Sequence, residues 1–338
     1  MEAPGHWSRR NLIAWSLLPV AVCFGALARL RRFAYARGWR QSYRAPVPVV
    51  VVGNLYVGGT GKTPLVLALL ELLKQRGWQP GVVSRGYGGG KLDQPMLVTH
   101  QSDADDCGDE PLLIARHAGV PVCVFPQRAV AAQTLCKADD IDILVADDGL
   151  QHYALERDCE IAVVDAERVH GNGWLMPAGP LRESPQRLET VDLSVWRGQP
   201  EPGGSNGMAV PPAKHFFNVQ IDGFYKLADE QAYTREALPE VEWLALAGIG
   251  YPPGFFGQLT ALGIRHRPLS YPDHHRYTVA DVQEWGDAWV LMTEKDAVKV
   301  RALDIDASRC FFTRTSSQLS AAFRLALDTQ LQALQSKE

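Results

Sequence analysis

The sequence predicts an α/β fold in which a mostly parallel β-sheet has helices on both faces and a second, smaller α/β domain follows. Short apolar runs alternate with helical patterns from residue 46 onward, as in parallel strands connected by helices. The first run, 49–52, consists of four valines, which is typical of a strand buried on both faces. A length of 338 residues and an apolar content of 46% indicate two domains with a substantial core.

Changes in composition divide the chain into four predicted segments. A basic, apolar N-terminal segment covers 1–45, and the larger α/β domain covers 46–213. The smaller α/β domain covers 214–316, and a C-terminal helix covers 317–338. The stretch 198–212 is rich in glycine and proline, so we interpret it as the linker between the two domains.

The N-terminal segment is the most basic part of the chain. Residues 1–44 hold eight arginines and one acidic residue, whereas the remainder has a net charge of −11. Arginines flank the apolar stretch 11–28 on both sides, which favours a helix that lies in a membrane interface against an anionic surface. A membrane-spanning helix and a helix buried against the domain are the alternatives.

The overall composition excludes other classes. A net charge of −4 gives the whole chain no nucleic-acid-binding signature, and no obligate protein partner is predicted. The six cysteines are scattered without a Cys-x-x-Cys pair. This spacing indicates reduced thiols rather than a disulfide framework or a zinc site.

A glycine-rich turn follows the first strand and leads into a helix that begins with Lys-Thr-Pro. Backbone N–H groups and a helix N-terminus in this arrangement predict a phosphate-binding loop, with Lys62 at the outer phosphate oxygens and Thr63 on Mg²⁺. Tyr56 replaces the first glycine of the Walker A pattern, and Val57 replaces the signature lysine of partitioning-type ATPases. A turn without a ligand is the alternative. The candidate nucleotide-binding residues are Gly58, Gly59, Thr60, Gly61, Lys62 and Thr63.

The next elements continue the alternation of strands and helices. A helix is expected at 65–76 and a strand at 81–83. The strand leads into a second glycine-rich loop, 84–90, which is expected to face the ligand crevice, although a surface turn is the alternative. Asp109 stands at the start of a further helix and, by its position alone, is interpreted as an N-cap.

A strand expected at 141–146 ends in Asp147 and Asp148. An apolar strand that ends in aspartate downstream of a phosphate loop is typical of a Walker B element, whose carboxylate holds Mg²⁺. A turn with two aspartates is the alternative. A strand at 161–165 follows, and the long loop 171–183 then indicates a functional or disordered segment.

In the second half, strands are expected at 215–221, 243–247, 265–269 and 289–292, with a helix at 255–262.

The cluster Asp273-His274-His275 lies between these elements. A catalytic or orienting histidine, an ordinary loop histidine and a zinc site are the three interpretations. Zinc is disfavoured because no third ligand stands at a supporting spacing.

The ordered set of motifs resembles one family, the tetraacyldisaccharide 4'-kinases of lipid A biosynthesis. No single motif decides this, but their order along the chain is highly specific. The matching segments are 53–55, 58–64, 84–89, 108–111, 147–152, 177–183, 272–275 and 293–296.

The resemblance implies an ATP- and Mg²⁺-dependent kinase at the cytoplasmic face of a Gram-negative inner membrane. It would be attached peripherally or monotopically through the N-terminal segment. The reaction would transfer the γ-phosphate to the 4'-hydroxyl of a tetraacylated glucosamine disaccharide 1-phosphate. The implied fold is a P-loop NTPase-like domain joined by a β linker to the smaller domain, with the active site in the cleft.

The resemblance also implies residue roles. Lys62 would bind the transferred phosphate, Asp109 would be the general base, and His274 would orient that base, although the choice between His274 and His275 is open. The candidate metal-site residues are Thr63, Asp147, Asp148 and Glu183. The candidate substrate contacts are Asn54, Tyr87, Arg128, His152 and Arg182.

Two other functions share part of this pattern. A membrane-associated partitioning-type ATPase switch would have a similar loop and an amphipathic anchor. A nucleotide-gated membrane adaptor is a second alternative, from outside enzymology. The ATPase switch would not require Asp109 or the Asp-His-His cluster.

Overall fold

The computed structural model describes residues 4–59, 61–199 and 213–335, so Thr60 and most of the predicted linker lie outside the described residues. We refer to residues up to 199 as the first half and to those from 213 as the second half. The helices of the described residues are α1 Leu12–Ala36, α2 Lys62–Gln75, α3 Ala104–Cys107, α4 Asp109–Ala118, α5 Arg128–Ala138, α6 Pro252–Ala261, α7 Val279–Trp285, α8 Glu294–Val300 and α9 Ala321–Gln335.

The described strands form one sheet. Their bounds are β1 Val49–Asn54, β2 Pro80–Ser84, β3 Met96–Val98, β4 Val122–Val124, β5 Ile143–Asp147, β6 Cys159–Asp165, β7 Leu193–Arg197, β8 Phe216–Lys226, β9 Ala232–Tyr233, β10 Trp243–Ala247, β11 His266–Ser270, β12 Trp289–Thr293 and β13 Cys310–Leu319. The strand order is β11-β10-β12-β13-β8-β7-β6-β1-β5-β2-β4-β3, and β9 pairs with β8.

The sheet is mostly parallel, as predicted. β1 lies between β5 and β6, and the parallel pairing extends through β2 to β4 on one side and through β7 on the other. Within it, Val52 of β1 lies opposite Asp147 of β5. The phosphate loop and the two predicted metal-site aspartates therefore leave the sheet at the same edge.

Helices cover both faces of the first half, which explains why β1 has no polar alternation. Val50 and Val52 pack into the core that α2, α4 and α9 complete, whereas Val49 and Val51 pack into the core beneath α5. All of β1 is buried as a result. The predicted α/β class, with helices on both faces, is confirmed.

An antiparallel pair, β8 with β13, connects the parallel strands of the two halves. We expected the C-terminal helix from Ser317, but Ser317 and Leu319 still pair with β8, so α9 begins at Ala321. From there α9 returns to the first half, where Phe323 and Leu327 enter the same core as β1.

The second half repeats the two-sided packing on a smaller scale. Its strands β11, β10, β12 and β13 are parallel to one another. Leu244 and Leu246 of β10 face one core, and Ala245 and Ala247 face the other.

Among the described residues, α1 is the one helix long and apolar enough to cross a membrane. Most of its apolar side chains are exposed. It contacts the long loop 171–183, because the Trp15 ring packs edge-on against Trp174 at a centroid distance of 4.8 Å and Gly25 lies against Leu175.

Candidate active site

The phosphate loop connects the end of β1 to the start of α2. Gly61, the residue before the helix, has a left-handed backbone with φ +78°, and a Cβ there would collide with the side chain of Arg197. Glycine is therefore required at this position. α2 begins at Lys62, and the N-terminus of a helix offers backbone N–H groups to an anion, so this end of α2 is a candidate phosphate-binding site.

Lys62 points to the two aspartates at the end of β5. Its Nζ atom lies 3.5 Å from Asp148 Oδ1, and Arg182 donates to both oxygens of the same carboxylate at 3.0 Å. Although burial opposes ionisation, Lys62 and Arg182 lower the pKa of Asp148 below its ordinary value. Asp148 also has a left-handed φ of +50°, which is uncommon for a residue other than glycine.

Asp147 is in the opposite electrostatic situation. It is 1% exposed, and its Oδ1 atom has no hydrogen-bond partner among the described residues. Burial, followed by the nearby carboxylate of Glu110, raises the pKa of Asp147 to about 7. A buried carboxylate oxygen without a donor is a candidate ligand for a cation.

Asp109 and His274 meet across the two halves. Asp109 is the first residue of α4 and is 3% exposed, and both of its carboxylate oxygens lie 2.9–3.0 Å from His274 Nδ1. Burial would raise the pKa of this carboxyl, but Lys295, His274 and Lys299 lower it to about 2. The structure therefore keeps Asp109 ionised and in contact with an imidazole.

The two adjacent histidines have different neighbours. His274 has a left-handed φ of +60°, which directs its ring toward Asp109. The ring of His275 instead stacks on Tyr271 at a centroid distance of 4.4 Å and lies 3.4 Å from Asp281.

A cavity of about 740 Å³ lies between the halves. Lys62, Thr63 and Glu110 line it from the first half, and Asp273 and Lys295 line it from the second half. The cavity thus connects the phosphate loop with the neighbours of the Asp109–His274 pair, which is the arrangement that a two-substrate transfer reaction needs.

Several predicted substrate contacts lie around these groups. The exposed Tyr87 ring is 5.0 Å from the His274 ring, and Asn54 is buried beside the phosphate loop, where it donates to the Tyr56 carbonyl at 2.7 Å. These side chains flank the Asp109–His274 pair and the phosphate loop respectively.

A second group of predicted substrate contacts lies around Asp147 and Asp148. Arg128 donates to the Asp147 carbonyl at 3.4 Å, and burial lowers the pKa of this guanidinium to about 10. Burial, followed by the charge of Arg128, lowers the pKa of His152 to about 3, so its ring is neutral at pH 7.

Glu183 has different partners from the other predicted metal-site residues. Its carboxylate accepts from the Tyr153 hydroxyl at 2.9 Å and lies 3.5 Å from Arg187 Nε.

Sequence reasoning gave no role to Lys295, whose Nζ atom lies 3.0 Å from Asp273 Oδ1 and 3.7 Å from Asp109 Oδ2. The segment 293–296 was among the recognised motifs, but only the fold shows what its lysine contacts.

The chain is similar to known proteins over nearly its whole length. The sequence model of the family LpxK, described as tetraacyldisaccharide-1-P 4'-kinase, matches residues 13–332. The tetraacyldisaccharide 4'-kinase of Tolumonas auensis is 43% identical over 330 residues, which cover 97% of each chain. That of Aeromonas salmonicida is 44% identical over 332 residues, which cover 98% of this chain and 96% of the relative.

The fold of this chain is also similar to that of a solved structure. LpxK from Aquifex aeolicus, determined in complex with ATP, is 26% identical and superposes with a TM-score of 0.78. The match covers 96% of this chain and 99% of that protein.

Proposed function

The chain belongs to the tetraacyldisaccharide-1-P 4'-kinase family and is a kinase of lipid A biosynthesis, and from that premise we propose how it performs the reaction. Asp109 is the general base that accepts the proton of the 4'-hydroxyl, and His274 orients it. The phosphate loop holds ATP, with Lys62 at the transferred phosphate. The observation that carries this proposal is the Asp109–His274 contact across the cleft beside the phosphate-binding cavity.

The low pKa of Asp109 is compatible with this role. Phosphoryl transfer passes through a loose transition state, in which the attacking hydroxyl needs little deprotonation before the new bond forms. The carboxylate then acts mainly by orienting the hydroxyl and by accepting its proton late. Contact with His274 fixes the direction of the carboxylate, so the hydroxyl is held in line for attack.

The donor set around the phosphate loop fits Mg²⁺. Asp147 offers a buried carboxylate oxygen that lacks a donor, and Thr63 stands at the position of the loop hydroxyl. Mg²⁺ bound there would neutralise charge on the nucleotide phosphates. Asp148 is already paired with Lys62 and Arg182, so we assign it to the positioning of these two cations. A metal role for Glu183 stays a prediction.

The acceptor is a lipid disaccharide phosphate, and we infer that α1 brings the enzyme to the membrane that holds it. The exposed apolar residues of α1 and the arginines of residues 1–44 are suited to an anionic interface on the cytoplasmic side of the inner membrane. Each arginine near such a surface strengthens binding to the membrane by about 1 kcal/mol. The acceptor would then approach through the loop 171–183, which α1 contacts.

Transfer of label tests the chemistry. The purified enzyme is incubated with Mg²⁺, γ-labelled ATP and the acylated disaccharide 1-phosphate, and the lipid fraction is analysed. We expect label in the lipid and none when the acceptor lacks its 4'-hydroxyl. Label that appears only as free phosphate would support the ATPase switch instead.

Vesicle sedimentation tests the attachment. The double substitution Ile13→Asp and Val22→Asp changes exposed positions of α1, and we expect it to release the protein from vesicles of anionic phospholipid. The matched control is Leu325→Asp, which changes an exposed apolar residue of α9. If the α1 double variant sediments with the vesicles as fully as the Leu325→Asp control, α1 is not the anchor.

A further inference from the structure

The motif Thr293-Glu294-Lys295-Asp296 starts α8 and is fixed by its last residue. Asp296 is fully buried and accepts from the Gly248 N–H at 2.9 Å, from the Thr293 hydroxyl at 2.7 Å and from the Tyr277 hydroxyl at 3.0 Å. These three bonds hold the first turn of α8 in one orientation. The directions of Glu294 and Lys295 follow from that orientation.

Glu294 contacts the C-terminal end of α4, in the first half. Its Oε2 atom lies 3.0 Å from Nδ1 of His117, and Arg314 of β13 donates to its Oε1 atom at 3.0 Å. His117 belongs to the last turn of α4. The carboxylate therefore connects the second half to one end of this helix.

Lys295 contacts the N-terminal end of the same helix. Its side chain is 13% exposed, and its Nζ atom lies 3.2 Å from Glu110 Oε1 and 3.7 Å from Asp109 Oδ2. The same atom lies 3.0 Å from Asp273 Oδ1 in its own half. Without the ammonium, three carboxylates from two halves would face one another without this counter-charge.

We propose that Lys295 is a positioning residue for the base Asp109, and that Glu294 and Lys295 together form a charge clamp that joins the second half to both ends of α4. The proposal rests on the assignment of Asp109 as general base. The cation that balances Asp109 and Glu110 comes from the opposite half, as does His274. When the second half lies against α4, His274 therefore orients the carboxylate of Asp109 and Lys295 balances its charge.

The electrostatics of the pair support this role. Although burial opposes it, Glu110, Asp109 and Asp273 raise the pKa of Lys295 above its ordinary value, so the lysine stays charged. Lys299 is also 3.7 Å from Asp109 Oδ2, but it lies 3.2 Å from Asp296 within its own half. Lys295 is thus the lysine that bridges Asp109 and Glu110 to Asp273.

Substitution of Lys295 tests the proposal through kinetics. We expect Lys295→Met to lower kcat by about 10- to 100-fold, because a misplaced base loses alignment with the hydroxyl. ADP and ATP binding should both stay within about threefold of wild type, since the lysine acts through Asp109. Lys295→Arg should recover most of kcat, and Lys299→Met should lose less than Lys295→Met.

A second substitution separates charge balance from direct phosphate contact. Asp273→Asn in the Lys295→Met background removes one of the three facing carboxylates, so we expect part of kcat to return. If Lys295 instead bound the γ-phosphate directly, Asp273→Asn would not restore that contact and kcat would not recover. Unfolding temperatures of all variants show whether a loss of kcat is a loss of folded enzyme.

Several results would overturn the clamp. These are an unchanged kcat in Lys295→Met, a loss of ATP binding with ADP binding preserved, equal losses in Lys295→Met and Lys299→Met, and no recovery in the double variant. Asp109→Ala is measured alongside. Near-normal kcat in Asp109→Ala would contradict the assignment of Asp109 as the base. A low kcat in Asp109→Ala together with a normal kcat in Lys295→Met would contradict only the clamp.

Discussion

Asp109 and Asp147 are both buried aspartates close to Glu110, yet their pKa values are shifted in opposite directions. Asp109 faces His274 and two lysines, and its pKa falls to about 2 against the effect of burial. For Asp147, burial and then neighbouring carboxylates raise the pKa to about 7, although Lys62 acts in the other direction. Asp109 is thus an ionised carboxylate whose charge is balanced by neighbouring groups, whereas the negative charge of Asp147 is poorly balanced by its neighbours.

The difference shows where each aspartate obtains its counter-charge. The second half of the protein supplies the partners of Asp109, which are the imidazole of His274 and the ammonium groups of Lys295 and Lys299. The negative charge of this carboxylate is therefore balanced where the two halves meet. One buried carboxylate oxygen of Asp147 has no hydrogen-bond donor among the described residues. We therefore infer that Mg²⁺, bound together with the nucleotide, would supply the positive charge that balances Asp147. In the proposed mechanism, the surroundings of the base are therefore provided by the fold, whereas the metal site is completed by Mg²⁺ that arrives with the nucleotide.

The largest expected effect comes from removing the prepared base. Asp109→Ala should lower kcat by about two to four orders of magnitude, the usual contribution of general base catalysis. ATP binding should persist, because the phosphate loop is unchanged. Turnover of labelled lipid and nucleotide affinity are the two measurements, and near-normal turnover excludes Asp109 from the mechanism.

The orienting histidine should matter less than the base. His274→Gln is expected to lower kcat by about 10- to 100-fold, because the carboxylate remains but loses its alignment. His275→Gln is the matched control, since that ring stacks on Tyr271 and should leave turnover close to wild type. The reverse order of the two variants would exchange the roles of the histidines.

A substitution at Asp147 should change the metal requirement instead. Asp147→Asn is expected to raise the Mg²⁺ concentration for half-maximal activity at least about tenfold, because a candidate ligand loses its charge. Asp109→Ala should leave this concentration unchanged in its residual activity. A similar Mg²⁺ requirement in wild type and Asp147→Asn contradicts the contrast between the two sites.

The smallest effects concern stability, and they should have opposite signs. A depressed pKa means that ionised Asp109 stabilises the fold above about pH 4, and this stabilisation is lost as pH falls toward about 2. A raised pKa means that the stability contributed by protonated Asp147 is fully present below about pH 4 and is lost as pH rises from there through about 7.

Asp109→Asn should therefore destabilise the metal-free protein at pH 7 by roughly 2 kcal/mol, whereas Asp147→Asn should stabilise it. Denaturant unfolding across pH 5–8 is the measurement. Changes of the same sign in both variants would mean that the surroundings of the two aspartates are alike.

The sequence predicted the parts of the site that depend on local pattern. Four valines, a glycine-rich turn and Lys-Thr at a helix start determine the phosphate loop, because strand, turn and helix propensities act over a few residues. The strand that ends in Asp147 was predicted for the same reason. Pairing of these two strands then follows from the parallel sheet.

The charge around Asp109 was not predictable from local pattern. Asp109 alone has the appearance of a helix N-cap, and only the family resemblance suggested a base. Its lysine contact comes from Lys295, far away in the sequence, and the fold alone brings the two together. No strand was predicted at β13, because its polar segment 313–318 does not have a strand pattern, although this segment pairs with β8.

Electron paramagnetic resonance of bound Mn²⁺ tests the contrast between the two aspartates most directly. Mn²⁺ replaces Mg²⁺, and it is titrated in the presence of ADP into wild type, Asp109→Asn and Asp147→Asn. We expect wild type and Asp109→Asn to bind Mn²⁺ equally, and Asp147→Asn to lose it while retaining ADP. Mn²⁺ bound normally by Asp147→Asn, or lost from Asp109→Asn, would contradict the account.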